Sequence, residues 1–346
     1  MKYCKAKSEI KMLGIDLAKQ SFQLHGVDES GQTVLRKKLS RNKLTAFIAS
    51  LPPCLIGLEA CGGAHHWART FTNFGHTVRM MAPQFVKPYV KSNKNDAVDA
   101  EAICEAAQRP SMRFVPAKCI EQQDIQSIHR IRSLLVSRRT AQANQIRGLL
   151  LEYGVVIPKG IACVRARIPE ILEDAENGLT PLFRQLLNAL YEEMVHLDQR
   201  IDTLEQKLRA ICLQSKDCQR LLTIPGIGLL TATAMVAAVS DIAAFKNGRE
   251  LAAWMGLVPR QHSTGGVTTL MGISKRGDSY LRTLLIHGAR AVVRIADKYQ
   301  DKRNRWISKL EQRRGKNISA VGVANKNVRI AWALLSKKEN YNGVAA

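Results

Sequence analysis

The sequence predicts an α/β domain at the N-terminus, then a region of long helices, then an all-α domain at the C-terminus. Three observations carry this. Within the first 90 residues, short apolar or alternating runs of strand length trade places with helical stretches. From Glu121 to Tyr153 the pattern turns helical with few breakers, and a second long helical stretch lies between Leu182 and Ser215. After Ser215 the chain stays helical, with glycine-bearing turns and a basic tail. At 346 residues, 46 % of them hydrophobic, there is material for two or three domains with real cores.

The elements follow in order. "KMLGIDL" (Lys11–Leu17) is a short apolar run ending on a carboxylate. "SFQLHGV" (Ser21–Val27) and "QTVLRKK" (Gln32–Lys38) alternate as strands do, and "DESG" between them is turn chemistry. "RNKLTAFIASL" reads as a helix, "CLIGLEA" (Cys54–Ala60) as a buried strand, "GGAHHWARTFTNFG" as a helix closed by Gly75, and "TVRMMA" (Thr77–Ala82) as a further strand. Three strands, a helix, a strand, a helix and a strand is the order of a ribonuclease-H-like core. In the middle region Leu190, Met194, Leu197, Ile201, Leu204, Leu208 and Ile211 recur at alternating spacings of four and three, a coiled-coil seam. Its partner is either the 121–153 helix of the same chain or a second subunit. The linker "GVVIPKGIACVRARIPE" shows no clear period. The expected domains are 1–115, 116–215 and 216–346.

Charge is the strongest compositional signal: 52 Lys and Arg stand against 29 Asp and Glu, a net of +23. The excess is uneven, with a net of +8 over residues 1–115, +1 over 116–245 and +14 over 246–346. The C-terminal third should therefore make most contacts to phosphate. With no amphipathic anchor or lipidation signal, nucleic acid is favoured over acidic lipid as the partner. No apolar run reaches the roughly 18–20 residues that span a bilayer, and no signal peptide is evident, so a cytoplasmic, nucleoid-associated bacterial protein is expected. Eight cysteines without a C-x-x-C pair argue against a zinc site or a disulfide scaffold.

Four acids draw attention. Asp96 and Asp99 in "SNKNDAVDAEAICEA" lie one helical turn apart at a helix start, where the macrodipole favours negative charge. The plainer alternative makes Asp96 an N-cap. Asp16 closes the first strand and Glu59 the "CLIGLEA" strand, and the carboxyl ends of such strands share one edge of a sheet. Carboxylates converging there would repel one another without a cation. Hard oxygen ligands suit Mg²⁺ or Mn²⁺, and a pair of such ions supports phosphodiester cleavage. Lys87, Lys91 and Lys94 would then hold nucleic-acid phosphates.

Further along, "IPGIG" (Ile224–Gly228) reads as the turn of a helix-hairpin-helix element, with Gly226 and Gly228 giving a phosphate access to backbone N–H groups; the alternative is a plain helical turn. "PRQHSTGG" (Pro259–Gly266) offers Ser263 in a glycine-bearing loop beside His262, with Arg260 nearby. No residue stands out as the base for this serine. Lys275, Arg276 and Arg282 of "GISKRGDSYLR" have the look of phosphate clamps, with Ser274 and Ser279 as rival serines; Ser274 could instead cap the following helix. His65 and His66, beside Trp67, read as packing residues.

Taken together, "GIDLAK", "GLEACGG", "KNDAVDAEAI", "TIPGIG", "WMGLVPRQHSTGG" and "GISKRGDSYLR" resemble, in this order and over nearly the whole chain, the DEDD-type insertion-sequence transposases of the insertion-sequence one-ten family, which also includes the Piv-type DNA invertases. The resemblance implies a RuvC-like N-terminal domain with a metal site at Asp16, Glu59, Asp96 and Asp99. It also implies a helical transposase domain in which Ser263 is the nucleophile of a covalent serine–DNA intermediate, meeting the metal site of another subunit. It further implies a homo-oligomer, dimer or tetramer, acting on element ends and target DNA, and similarity to recombinases guided by a structured bridge RNA. The rival readings are a RuvC-like structure-specific nuclease of the Holliday-junction resolvase type, without the covalent intermediate, and a non-catalytic DNA- or RNA-binding protein.

Overall fold

The computed structural model describes residues 10–90 and 95–342. The chain packs as two units, the first ending at Cys119 and the second starting at Ile120. In the first, β1 (Met12–Leu17), β2 (Ser21–Val27), β3 (Thr33–Ser40), β4 (Leu55–Glu59) and β5 (Thr77–Met81) form where alternation and apolar runs demanded. A two-residue strand, β6 (Phe114–Val115), completes a six-stranded sheet of order β3-β2-β1-β4-β5-β6. β1, β4 and β5 are mutually parallel, whereas β2 and β6 run antiparallel to their neighbours.

The alternation of β1 decides what each face does. Leu13 and Ile15, with Ile56 and Leu58 of β4, point into a core shared with α1 (Arg41–Ala49) and α2 (Ala64–Asn73), through Leu44, Ile48, Trp67 and Phe71. Trp67 stacks on Phe71, with ring centroids 5.4 Å apart; His65 is half-buried and its Nδ1 accepts from Lys118 N at 3.2 Å, whereas His66 is exposed. After the short α3 (Pro83–Val86) and a 3₁₀ turn at Lys87–Tyr89, α4 (Asp96–Ala107) covers the opposite face. There Met12 and Met81 pack with Ile103, Cys104 and Ala107.

In the second unit, α5 (Ile120–Leu151) and α7 (Pro181–Gln214) pair along their length. The heptad seam of α7 is spent inside the chain: Leu197 and Ile201 pack on Leu135, and Leu208 packs with Ile125. Arg132–Glu205 and Arg139–Asp198 ion pairs, both at 2.6 Å, flank it. The segment without an evident period folds as α6 (Ile161–Glu173) despite an internal Pro169. Val164, Ile168 and Ile171 share one face, which buries against Ile146, Leu150, Phe183 and Leu187.

The remainder is mostly helical: α8 (Lys216–Leu222), α9 (Leu229–Ala238), α10 (Gly248–Trp254), α11 (Ser279–Ile295), α12 (Lys302–Arg314) and α13 (Lys316–Lys337) enclose one core. The expectation of an all-α domain is corrected here. "PRQHSTGG" is not a loop but the start of a hairpin of β7 (Pro259–Thr264) and β8 (Val267–Ile273). The physical reason is Gly265–Gly266, whose φ values of +58° and +82° suit the turn that matches strand twist, flanked by the β-branched Thr264 on one side and Val267, Thr268 and Thr269 on the other. No helix among the described residues is long and apolar enough to cross a membrane.

Candidate functional site

Asp16, Asp96 and Asp99 each bring one carboxylate oxygen within 4.8 Å of the others. Asp16 sits near the carboxyl end of β1, on the same face as Met12 and Gly14, the face that α4 covers. Asp96 and Asp99 occupy the first turn of α4. The cap of that helix is Asn95, whose side chain accepts from Ala97 N at 3.0 Å. The N-cap alternative for Asp96 is thereby answered: a neighbour performs that task, and both aspartates keep their carboxylates for the cluster.

What lowers α4 onto the strand ends is the absence of two side chains. A Cβ on Gly14 would lie 2.3 Å from the Ala100 carbonyl oxygen and 2.6 Å from Cys104 N. One on Gly57, at the neighbouring position of β4, would lie 2.8 Å from Ala107 Cβ. Both glycines lie within the motifs "GIDLAK" and "GLEACGG", where the sequence alone assigns them no role. The available signal was a glycine in the middle of a buried strand, which marks a close backbone approach.

Glu59 is not within the grouping of three. It closes β4, whose Leu58 pairs with Ile15 in parallel register, so it stands at the same sheet edge as Asp16. Burial, followed by the charges of Glu59 and Asp16, pushes the Cys61 thiol up. Three hard oxygen donors within such a distance fit a small divalent cation, with a fourth carboxylate beside them. Lys87 is exposed in the 3₁₀ turn that precedes α4. Lys91 and Lys94 lie outside the described residues.

In the second unit Ser263 is exposed on β7, opposite Thr268. Its Oγ accepts from Gln261 Nε2 at 2.7 Å and donates to Thr268 Oγ1 at 3.4 Å. Arg260 and His262, on the same strand, are exposed as well. Lys275 and Arg276 are exposed in the turn after β8, and the half-buried Arg282 donates to the Arg276 carbonyl at 3.0 Å. Arg282 therefore braces the turn that presents the other two. Ser274 caps nothing; α11 is capped by Asp278, which accepts from Tyr280 N at 2.8 Å and Leu281 N at 3.1 Å.

The two glycines of "IPGIG" separate in role. Gly226 has φ +91° and is locked by packing: a Cβ there would meet Val292 Cγ2 at 2.8 Å and the Gly288 carbonyl at 3.0 Å. The turn is held by the buried Arg303, which donates to Pro225 O at 3.0 Å and Asn327 Oδ1 at 2.7 Å. Gly228 is exposed, with nothing within 4 Å of its Cβ position, and stands at the N-cap of α9. Of the pair, Gly228 has the more open surroundings.

Comparison with known proteins supplies the family. The model described as "Transposase IS116/IS110/IS902 family" matches residues 218–304, and a DEDD transposase model matches residues 13–155. The chain is 52 % identical to a "Probable family 20 transposase" of Pseudomonas aeruginosa, covering 96 % of this chain and 98 % of the relative. The chain belongs to the DEDD-type IS110 transposase family. It is also similar to the transposase for insertion sequence element IS1111A of Coxiella burnetii, at 48 % identity over 97 % of this chain and 93 % of that one. The transposase for IS1328 of Yersinia enterocolitica is 43 % identical over 95 % and 97 % of the respective chains. This transposase is thus an enzyme acting on DNA. The DEDD match contains Asp16, Glu59, Asp96 and Asp99, and the second match contains Gly226, Gly228, Arg260, Ser263, Lys275, Arg276 and Arg282.

Proposed function

We propose that this insertion-sequence transposase is a divalent-cation-dependent recombinase that cuts and rejoins DNA with Ser263 as nucleophile. The observation that carries the reading is the convergence of Asp16 with Asp96 and Asp99 at the edge of the sheet. Its strand order β3-β2-β1-β4-β5, with β2 antiparallel between β3 and β1 and with β1, β4 and β5 parallel, supports a RuvC-like, ribonuclease-H-like assignment. In this reading residues 1–115 form the catalytic domain, 116–215 a helical spacer and 216–346 the transposase domain. Asp16, Asp96 and Asp99, with Glu59 beside them, hold Mg²⁺ or Mn²⁺. When bound, such an ion polarises a phosphoryl oxygen and neutralises charge developing on it.

The rest falls to the chain's own groups. Ser263 Oγ forms a new P–O bond while the bond to the departing strand breaks, and the serine proton ends on the oxygen that leaves. Arg260, Lys275 and Arg276 neutralise the phosphates that approach the hairpin. Gly228 N–H and Lys87 add contacts to the strand. A guide RNA takes part of the remaining positive surface, in keeping with the +14 excess over residues 246–346. Strand exchange between two duplexes needs several active sites, so the enzyme works as a homo-oligomer. With the α7 seam occupied by α5, other surfaces join the subunits.

The test is a strand-transfer assay on labelled element ends with Mg²⁺ or Mn²⁺. Asp16→Ala and Asp99→Ala abolish product, and Ser263→Ala abolishes both product and a protein–DNA adduct on denaturing gels. Wild-type recombination by Asp16→Ala and Ser263→Ala overturns the assignment. Cutting that persists in Ser263→Ala, with no adduct, leaves a structure-specific nuclease.

A further inference from the structure

The helical part of the second unit holds a groove of about 1460 Å³ that neither the carboxylate cluster nor the serine hairpin explains. Its walls are apolar, with Leu270 and Ile273 from β8, Ile318 and Ile330 from α13, and Trp306 from α12. Its charged residues are all cations, Arg249, Arg314, Lys326 and Arg329, and no carboxylate lines it. None of the four forms an ion pair among the described residues. Lys326 Nζ stands 4.8 Å over the Trp306 ring, and Trp306 keeps 37 % of its surface exposed. Burial, then the neighbouring Arg303, Lys302 and Arg329, push the Lys326 ammonium below its ordinary range. A cluster of cations without acids sets up a field that only an incoming anion relieves.

Size and chemistry narrow the occupant. The volume exceeds the roughly 300–1,000 Å³ of a small-ligand pocket, so a polymer segment fits better than a metabolite. A duplex offers phosphates but keeps its base faces stacked inside; an unpaired strand offers both, and its bases stack on aromatic rings. The place fits as well. Leu270 of the groove wall pairs with Gln261, two residues from Ser263, which is about 7 Å along a strand.

We infer that this groove holds an unpaired DNA strand beside the hairpin, one base stacked on Trp306 and its phosphates on Arg314, Lys326 and Arg329. The inference rests on the DNA-strand chemistry proposed above for the same hairpin. In a synapsis of cut ends it would keep a freed strand next to Ser263 while its new partner arrives.

The test uses the full chain and a dye-labelled oligothymidylate of roughly twelve nucleotides, read by fluorescence anisotropy. Trp306→Leu is expected to weaken this binding about tenfold or more, Trp306→Phe much less, with affinity for a duplex of equal length unchanged. Lys326→Gln is expected to lower the slope of log affinity against log salt by about one. Photo-crosslinking of an iodouridine-substituted strand should map to the Trp306 peptide. Asp16→Ala is expected to bind like the parent, so a failed strand-transfer assay would not disguise the result here. The inference is overturned if Trp306→Leu binds the strand as the parent does, if it loses duplex and single strand equally, or if an RNA strand of the same length is held more tightly. A change of oligomeric state in Trp306→Leu at constant strand affinity would instead assign the groove to a second copy, and so overturn it too.

Discussion

Adding one methyl group at Gly14 should disable the enzyme from a position that touches no substrate. The new Cβ would lie 2.3 Å from Ala100 O, 2.6 Å from Cys104 N and 2.7 Å from Cys104 Cβ. None of these atoms can be moved by a side-chain rotation. Ordinary contact begins near 3.4 Å, so α4 must back away from the sheet by about 1 Å. Asp99 precedes Ala100 directly, so both aspartates travel with the helix while Asp16 stays on β1. Mg²⁺ takes oxygens at about 2.0–2.1 Å in near-ideal octahedral geometry, and a displacement of ~1 Å lies beyond that tolerance. A misplacement of this size costs about 10²-fold in rate, besides about 1–3 kcal/mol of stability from overpacking. Gly57→Ala should be milder. Its nearest contacts are 2.8 Å to Ala107 Cβ and 3.1 Å to the flexible Met12 Cε, near the other end of α4. The assay is the initial strand-transfer rate against Mg²⁺ concentration, with circular dichroism melting to show that the variants are folded below the assay temperature. A Gly14→Ala enzyme with the parental rate and the parental Mg²⁺ half-saturation would refute the reasoning.

Other outcomes are expected. His129 is buried between Tyr280 OH and Thr233 Oγ1, each 3.0 Å away, and burial, aided by Arg132, lowers its pKa to about 4 from 6.5. Because the folded state resists protonation, its contribution is complete above pH 6.5 and declines as pH falls towards 4. The loss is about 3 kcal/mol, read from urea melts at successive pH values, and His129→Gln should flatten that slope. Asn95→Ala removes the cap of α4 and should cost about 1 kcal/mol, with a raised Mg²⁺ requirement in strand transfer. Ile201→Ala opens the α5–α7 seam and should cost about 2–5 kcal/mol, with a melting midpoint independent of protein concentration. A midpoint that rises with concentration would mean that the seam joins two chains.

Much of the first unit was legible because its signals are local. β1 to β5 and their two intervening helices follow from alternation, apolar runs and turn residues, and Asp96 and Asp99 follow from a spacing of three. What escaped depended on contacts distant in sequence. Gly14 matters through Ala100 and Cys104, and nothing around "LGI" says that a helix will rest there. β6 has only two residues and exists because β5 offers an edge. α6 was hidden by Pro169, although its apolar positions at 164, 168 and 171 already lay on one face. The β7–β8 hairpin was hidden differently: the segment carries a serine suited to chemistry, although Gly265–Gly266 between Thr264 and the β-branched run Val267–Thr269 already spelled a turn. The carbonyl partner of Arg282 could be seen only once the turn was folded.

The pairing of α5 with α7 makes a ruler. One end is fastened to the helical body through Gln122, which donates to Val236 O at 3.0 Å, and through His129. The distance from there to the far end is counted out in residues, about 1.5 Å for each. Removing seven residues from both helices in register would draw that end in by about 10 Å and leave every remaining knob facing its hole. Removing four would rotate the faces apart. Reach in this enzyme therefore changes with least disturbance of the seam in steps of a heptad.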